Sequence, residues 1–127
     1  METIQIRESA ENYLETILVL SHKLPEVRSI DIANEMHFSK PSVSVAMKNL
    51  KANNYITVDG NGSINLTEIG LEMANKIYER HTFLTNWLTA IGVNPATAAD
   101  DACKMEHAIS AESFSAIKKY IAKNPAE

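Results

Sequence analysis

The sequence predicts a mainly α-helical protein with one small β-hairpin, and three observations carry that expectation. Apolar residues recur at three- and four-residue steps through most of the chain. Two runs, Tyr55-Ile56-Thr57-Val58 and Ser63-Ile64-Asn65-Leu66, instead alternate apolar and polar residues around Asp59-Gly60-Asn61-Gly62. Just ahead of them, a short amphipathic stretch, a break and a second amphipathic stretch follow one another closely.

Each element has a local cause. Ala10, Tyr13, Leu14, Ile17 and Leu18 mark one face of a first helix, expected from about Glu8 to Lys23 and closed by Pro25. Ser29 is placed to cap a short second helix carrying Ile30, Ile32, Ala33 and Met36. After His37-Phe38, Ser39 is a good N-cap for a third helix, and Pro41 falls in its first turn, where a missing N–H loses no bond. Val43, Ala46, Met47 and Leu50 share that helix's inner face, and it should end near Asn53. The alternating runs then form a hairpin, because Asp-Gly and Asn-Gly supply the turn chemistry. A helix-turn-helix followed at once by a two-stranded hairpin is a winged helix.

Thr67 can cap a long fourth helix from Glu68 to about Ile91, stopped by Gly92 and followed by Pro95. Two further helices are expected over roughly Ala96–Ala108 and, capped by Ser110, Ala111–Lys123. The predicted architecture is an N-terminal winged helix-turn-helix over residues 1–70 and an all-helical domain over residues 71–127.

Composition sets the class of partner. The 127 residues are 45% hydrophobic and 22% charged, an ordinary globular balance. A net charge of −4 disfavours indiscriminate coating of nucleic acid but leaves room for a local basic face. One cysteine forbids an intrachain disulfide framework and fits a reducing compartment. The start lacks a basic stretch followed by an apolar one, and the apolar runs, such as Ile17-Leu18-Val19-Leu20, are far too short for a membrane span. A cytoplasmic protein without membrane attachment is expected. Residues 23–51 hold Lys23, Arg28, Lys40, Lys48 and Lys51 against Glu26, Asp31 and Glu35, whereas the flanking segments are net acidic. The cationic surplus thus coincides with the helix-turn-helix.

The outer face of the third helix is where double-stranded DNA would be met. Its N-terminal turn would enter the major groove. Ser39, Pro41 and Val45 would approach base edges, Pro41 and Val45 through thymine methyl groups. Arg28, Ser42, Ser44 and Lys48 suit phosphates, and Lys40 belongs to the same DNA-binding set. No Arg, Gln or Asn lies in the first turn and a half, so DNA shape would contribute much of the specificity. The same motif can also serve protein contacts.

A second constellation points to a metal. Cys103, Glu106 and His107 occupy i, i+3 and i+4 of one predicted helix, so a thiolate, a carboxylate and an imidazole project the same way. That mixture favours divalent first-row transition metals over calcium or magnesium. Taken singly, Cys103 could be a small buried hydrophobe and Glu106-His107 plain helix surface. His81 sits in an otherwise apolar seam of the fourth helix with Ile77, Leu84, Leu88 and Ile91, where a lone histidine is more often a satisfied core residue, but the donors of the next helix favour a ligand role. On the first helix, Glu11, Asn12 and Glu15 are either solvated surface or the source of one more oxygen ligand.

These residues carry a resemblance to the diphtheria-toxin-repressor family of metal-dependent transcriptional regulators, including its short manganese-responsive members. It rests on Glu11-Asn12-Tyr13-Leu14-Glu15, Ser39-Lys40-Pro41-Ser42-Val43-Ser44, the hairpin, Arg80-His81, Ile91-Gly92 and Cys103-Lys104-Met105-Glu106-His107. The resemblance implies a homodimer whose helical domain binds metal and dimerises. It also implies a palindromic operator, usually silencing metal-uptake genes, with one or two Fe(II) or Mn(II) ions per subunit. By position, Cys103, Glu106 and His107 look like core ligands, His81 like a ligand of the neighbouring or ancillary position, and Glu15 like a bridging carboxylate. Asn12, and less so Glu11, stand beside that set. Some positions depart from the family. Asn12 offers a neutral amide where relatives place Met or Asp, and Thr85 and Ala99 replace a Glu and a His of iron-type members. The chain is also expected to hold its metal without an SH3-like third domain.

Two other classes use the same residues. A winged-helix regulator could answer to an organic ligand or to oxidation of Cys103. An enzyme would pair Cys103 as nucleophile with His107 as base, but no Gly-rich oxyanion loop accompanies that pair.

Overall fold

The computed structural model describes residues 2–123, with side chains from residue 8 onward. Among the described residues there are six helices and one two-stranded antiparallel sheet: α1 (Glu2–Ser21), α2 (Ser29–Met36), α3 (Lys40–Ala52), β1 (Ile56–Val58), β2 (Ile64–Leu66), α4 (Glu68–Ala90), α5 (Pro95–Ala108) and α6 (Ala111–Lys123). The mainly helical winged-helix expectation is borne out. The chain divides into two compact units, Met1–Lys76 and Ile77–Glu127, each with its own packing.

In the N-terminal unit, Leu14, Ile17 and Leu18 of α1 pack with Ile32 of α2, Val43, Met47 and Leu50 of α3, and Ile56 and Ile64 of the hairpin. The helical period places these residues inward, and burying each apolar side chain stabilises the unit by about 1.5–3 kcal/mol before ordering costs. α1 starts earlier than its apolar periodicity indicates, because residues 2–7 contain neither Gly nor Pro to stop the helix. It also ends sooner, at Ser21 rather than Lys23, and Lys23 and Leu24 turn back to donate to the Leu20 carbonyl. Pro25 disfavours helical geometry in the residue before it, so the chain leaves the helix ahead of it.

The start of α2 corrects another expectation. Ser29 is the first helical residue, not the cap; Arg28 holds the cap position, and its N–H donates to Asp31 Oδ2 at 2.9 Å. The Asp31 carboxylate thus satisfies a backbone donor from the third helical position, the back-bonding half of a capping box. α3 begins as expected, with Ser39 Oγ accepting from the Ser42 N–H and Pro41 in the first turn.

The hairpin pairs Ile56 with Leu66, Thr57 with Asn65 and Val58 with Ile64. Its turn closes as Asp59 Oδ1 accepts from the N–H groups of Asn61 and Ser63, with Gly62 at φ 84°, which a side chain would strain. β2 is tied back to the α1–α2 connection by the Ile64 N–H, which donates to the Val27 carbonyl at 2.7 Å. Thr67 then caps α4: its Oγ1 accepts from the Gly70 N–H and donates to the Asn54 carbonyl. Gly70 lies against the main chain of Tyr55, where an added Cβ would collide with the Tyr55 carbonyl.

In the C-terminal unit, Leu84 of α4, Ala102 of α5 and Phe114 of α6 form the buried centre, with Phe83, Trp87, Met105 and Ile109 against it. Phe83 and Phe114 meet edge to face, 5.5 Å between centroids. α4 ends with Gly92 at φ 110° and the Val93 N–H donating to the Leu88 carbonyl. α5 starts one residue earlier than expected, at Pro95. Asn94 Oδ1 accepts from the Ala96 N–H and Pro95 takes the first helical position, so this proline begins a helix as well as following one.

Candidate metal centre

The spacing of Cys103, Glu106 and His107 on α5 does in space what the helical period requires. One ligand atom from each, a sulfur, a carboxylate oxygen and an imidazole nitrogen, lies within 4.8 Å of the others. Glu106 is fully buried. Its Oε2 lies 3.0 Å from Nδ1 of His81, which α4 brings in from 25 residues earlier in the chain. Its Oε1 lies 3.3 Å from Nε2 of His107 but makes no hydrogen bond there or elsewhere among the described residues. The 3.3 Å separation satisfies proximity while the alignment fails, and a hydrogen bond needs both.

A buried carboxylate oxygen without a hydrogen bond costs about 1–3 kcal/mol or more, and a charged one lies at the upper end. Here that oxygen faces an imidazole and stands among atoms that are all electron-pair donors once deprotonated. A divalent cation fits such a set, because a thiolate, a carboxylate and an imidazole are all ligands for first-row transition metals, and Glu106 Oε1 has no hydrogen bond to give up. Cys103 is exposed and forms no disulfide, so a thiolate is open to approach from solvent. His81 is about one-third exposed, while the His107 side chain is 4% exposed. The apolar seam expected around His81 is therefore uneven. Ile77 and Leu84 are buried and Ile91 is 57% exposed, which leaves His81 at an edge of the packed region facing Glu106.

Glu11, Asn12 and Glu15 belong to α1 of the N-terminal unit, where all three are half-buried. Asn12 lines a cleft in that unit together with Glu8, Ser9, Met36 and Phe38. Thr85 Oγ1 is buried without a hydrogen bond.

Arg80 carries part of the family resemblance, but no spacing in the sequence tells what it contacts. Arg80 Nη1 donates to the carbonyls of Glu106 at 3.0 Å and Ile109 at 2.9 Å. These partners lie 26 and 29 residues away, beyond the reach of any helical spacing rule.

The outer face of α3 is open as predicted: Lys40, Pro41, Ser42, Ser44 and Lys48 are exposed, and Val45 is 59% exposed. Ser39 Oγ donates to Ser42 Oγ, so those two hydroxyls already serve the helix start. Arg28 Nη2 donates to Glu26 Oε2 at 3.1 Å, a surface pair that phosphate could displace at little cost.

Comparison with known proteins agrees with both halves. Residues 5–64 match the iron dependent repressor, N-terminal DNA binding domain, and residues 67–126 match the iron dependent repressor, metal binding and dimerisation domain. The transcriptional regulator MntR of Escherichia coli is 32% identical over 121 residues, covering 95% of this chain and 78% of that protein. An uncharacterised helix-turn-helix regulator of Methanocaldococcus jannaschii is 30% identical over 118 residues, covering 91% of this chain and 94% of that one. The fold is shared with a solved manganese-dependent transcriptional repressor in complex with manganese (TM-score 0.81, 23% identity, 89% of this chain). It is also shared with the metal-dependent transcriptional regulator MtsR (TM-score 0.82, 24% identity, 89% of this chain). The chain spans about half the length of these two solved proteins, 52% and 53%. With a matched DNA-binding domain and a matched metal-binding and dimerisation domain, the chain belongs to the iron-dependent repressor family of metal-dependent, DNA-binding transcriptional regulators.

Proposed function

We propose that this chain is a cytoplasmic, homodimeric repressor that binds a palindromic operator when loaded with Fe(II) or Mn(II) and silences metal-uptake genes. The single observation that supports it most is the fully buried Glu106, with one oxygen lacking a hydrogen bond, set within 4.8 Å of Cys103 and His107 ligand atoms. Cys103, Glu106 and His107 are the core ligands, and His81 joins them through the carboxylate it already contacts. Glu15 is added on the strength of the family resemblance, with Asn12 and Glu11 as secondary donors. When bound, the cation supplies a positive charge and a fixed coordination demand that no protonated ligand set can match. The chain's own part is to present deprotonated donors at one place and so favour one arrangement of its helices over others.

On the DNA side, the exposed turn of Ser39, Lys40, Pro41, Ser42, Ser44, Val45 and Lys48 enters the major groove, with Arg28 on a flanking phosphate. Gel-shift titration on operator fragments checks the proposal. Affinity should rise with Mn(II) or Fe(II) and fall with chelator, and Cys103→Ala and His107→Ala should remain folded dimers that no longer respond. Equal affinity with and without chelator overturns metal control; metal-dependent binding by both variants overturns the ligand assignment.

A further inference from the structure

We infer that Arg80 is a positioning residue for the metal centre, the strut that holds the Glu106–His107 turn of α5 against α4; this rests on the ligand assignment proposed above. The last carbonyls of a helix have no partner within it, and a cation is favoured beside them. Arg80 meets two of these carbonyls with one nitrogen, Nη1, at Glu106 and at the cap residue Ile109. Its guanidinium carbon also lies 5.5 Å from the centroid of the Phe114 ring on α6. The group is thus wedged among three helices of one unit while its buried Nε goes without a hydrogen bond.

The neighbouring residue shows what the strut is for. His81 contacts the carboxylate of Glu106, and Arg80 binds that residue's main chain, so one dipeptide of α4 grips Glu106 at both ends. A cation that took up either the carboxylate or the His81 imidazole would change the His81–Glu106 contact, because both atoms would turn toward it. The two carbonyl bonds of Arg80 use no ligand atom. They persist with or without metal and keep α5 in register with α4 while the side chains rearrange. Groups that orient ligands in this way typically change metal affinity roughly 10–100-fold when removed.

The test is anaerobic Co(II) titration of the full chain, following thiolate-to-cobalt charge transfer and the ligand-field bands. Wild type, Cys103→Ala, Arg80→Met and Arg80→Lys are compared, with apo circular dichroism on each. Arg80→Met keeps the aliphatic stem and should bind Co(II) roughly 10–100-fold more weakly, with shifted ligand-field bands. Arg80→Lys retains one cationic nitrogen for the carbonyls but not the planar face on Phe114, and should fall between. A folded Arg80→Met with wild-type affinity and bands overturns the inference, even if it melts earlier. Should Arg80→Met fail to fold, Arg80→Lys decides: weakened affinity with shifted bands supports the strut, and wild-type values overturn it. The ligand assignment fails separately, if wild type lacks a charge-transfer band that Cys103→Ala removes, and the inference then falls with it.

Discussion

Nε2 of His107 lies 3.3 Å from Oε1 of Glu106, close enough for attraction but out of line for a hydrogen bond, and both side chains are almost wholly buried. The Glu106 oxygen is thus buried without a hydrogen bond, which suits it to a cation. Glu106→Gln keeps the shape and removes the charge. Metal affinity should fall at least about tenfold, the lower bound for groups that merely support a ligand. Apo stability should stay level or rise, because an incompletely paired buried carboxylate has been replaced by a neutral amide. Thermal melts with and without Mn(II) check both arms, since a cation that binds only the native state raises the melting temperature. A variant that melts far earlier as apoprotein yet keeps its metal-induced rise contradicts the assignment.

Gly70 sets a steric limit on the N-terminal unit. Alanine is a better helix former than glycine by about 0.8–1 kcal/mol, so propensity alone favours Gly70→Ala. Against that, the new methyl would strike the Tyr55 carbonyl, a main-chain atom that cannot swing aside. Overpacking costs about 1–3 kcal/mol, and a collision with backbone belongs at the upper end. The net expectation is a loss of about 2 kcal/mol, seen as a lower urea midpoint with unchanged slope.

Burial raises the Tyr13 hydroxyl above its ordinary value of 10.0. The unfolded chain therefore gives up this proton at a lower pH than the native one. Above the ordinary tyrosine range the unfolded state holds fewer protons, so the Tyr13 contribution is intact below that range and is lost as pH climbs toward the raised native value. Urea titrations at increasing alkaline pH should show stability falling, and Tyr13→Phe should show a shallower fall.

On the proposed DNA-facing side of α3, Lys48 and Val45 would make two different kinds of contact. Lys48→Ala should weaken binding to all sequences alike and lower the slope of log affinity against log salt by about 1. Val45→Ser should leave that slope alone and change the ranking of operator variants at one position, because an exposed apolar side chain offers thymine methyls a partner that serine does not. Filter binding over a salt series on a small operator set reads both. A Val45→Ser change confined to the salt slope contradicts its placement at base edges.

Much of this protein was determined by its sequence alone, wherever the cause is local. Apolar spacing set the helices, Asp59-Gly60-Asn61-Gly62 set the hairpin, and Ser39 with Pro41 set the start of α3, because each rule acts within a turn or two of chain. The i, i+3, i+4 spacing of Cys103, Glu106 and His107 is legible for the same reason: one helix suffices to align them. Where local signals compete, the reading slips by one residue, as at Arg28 before α2 and at Pro95 in α5. Only the tertiary structure decided that Glu106 is wholly buried, that His81 reaches its carboxylate, that Arg80 holds its main chain and that Gly70 must clear Tyr55. Those pairings join residues 15 to 26 positions apart or depend on burial, and burial belongs to no single segment: it exists only once several helices have excluded water together.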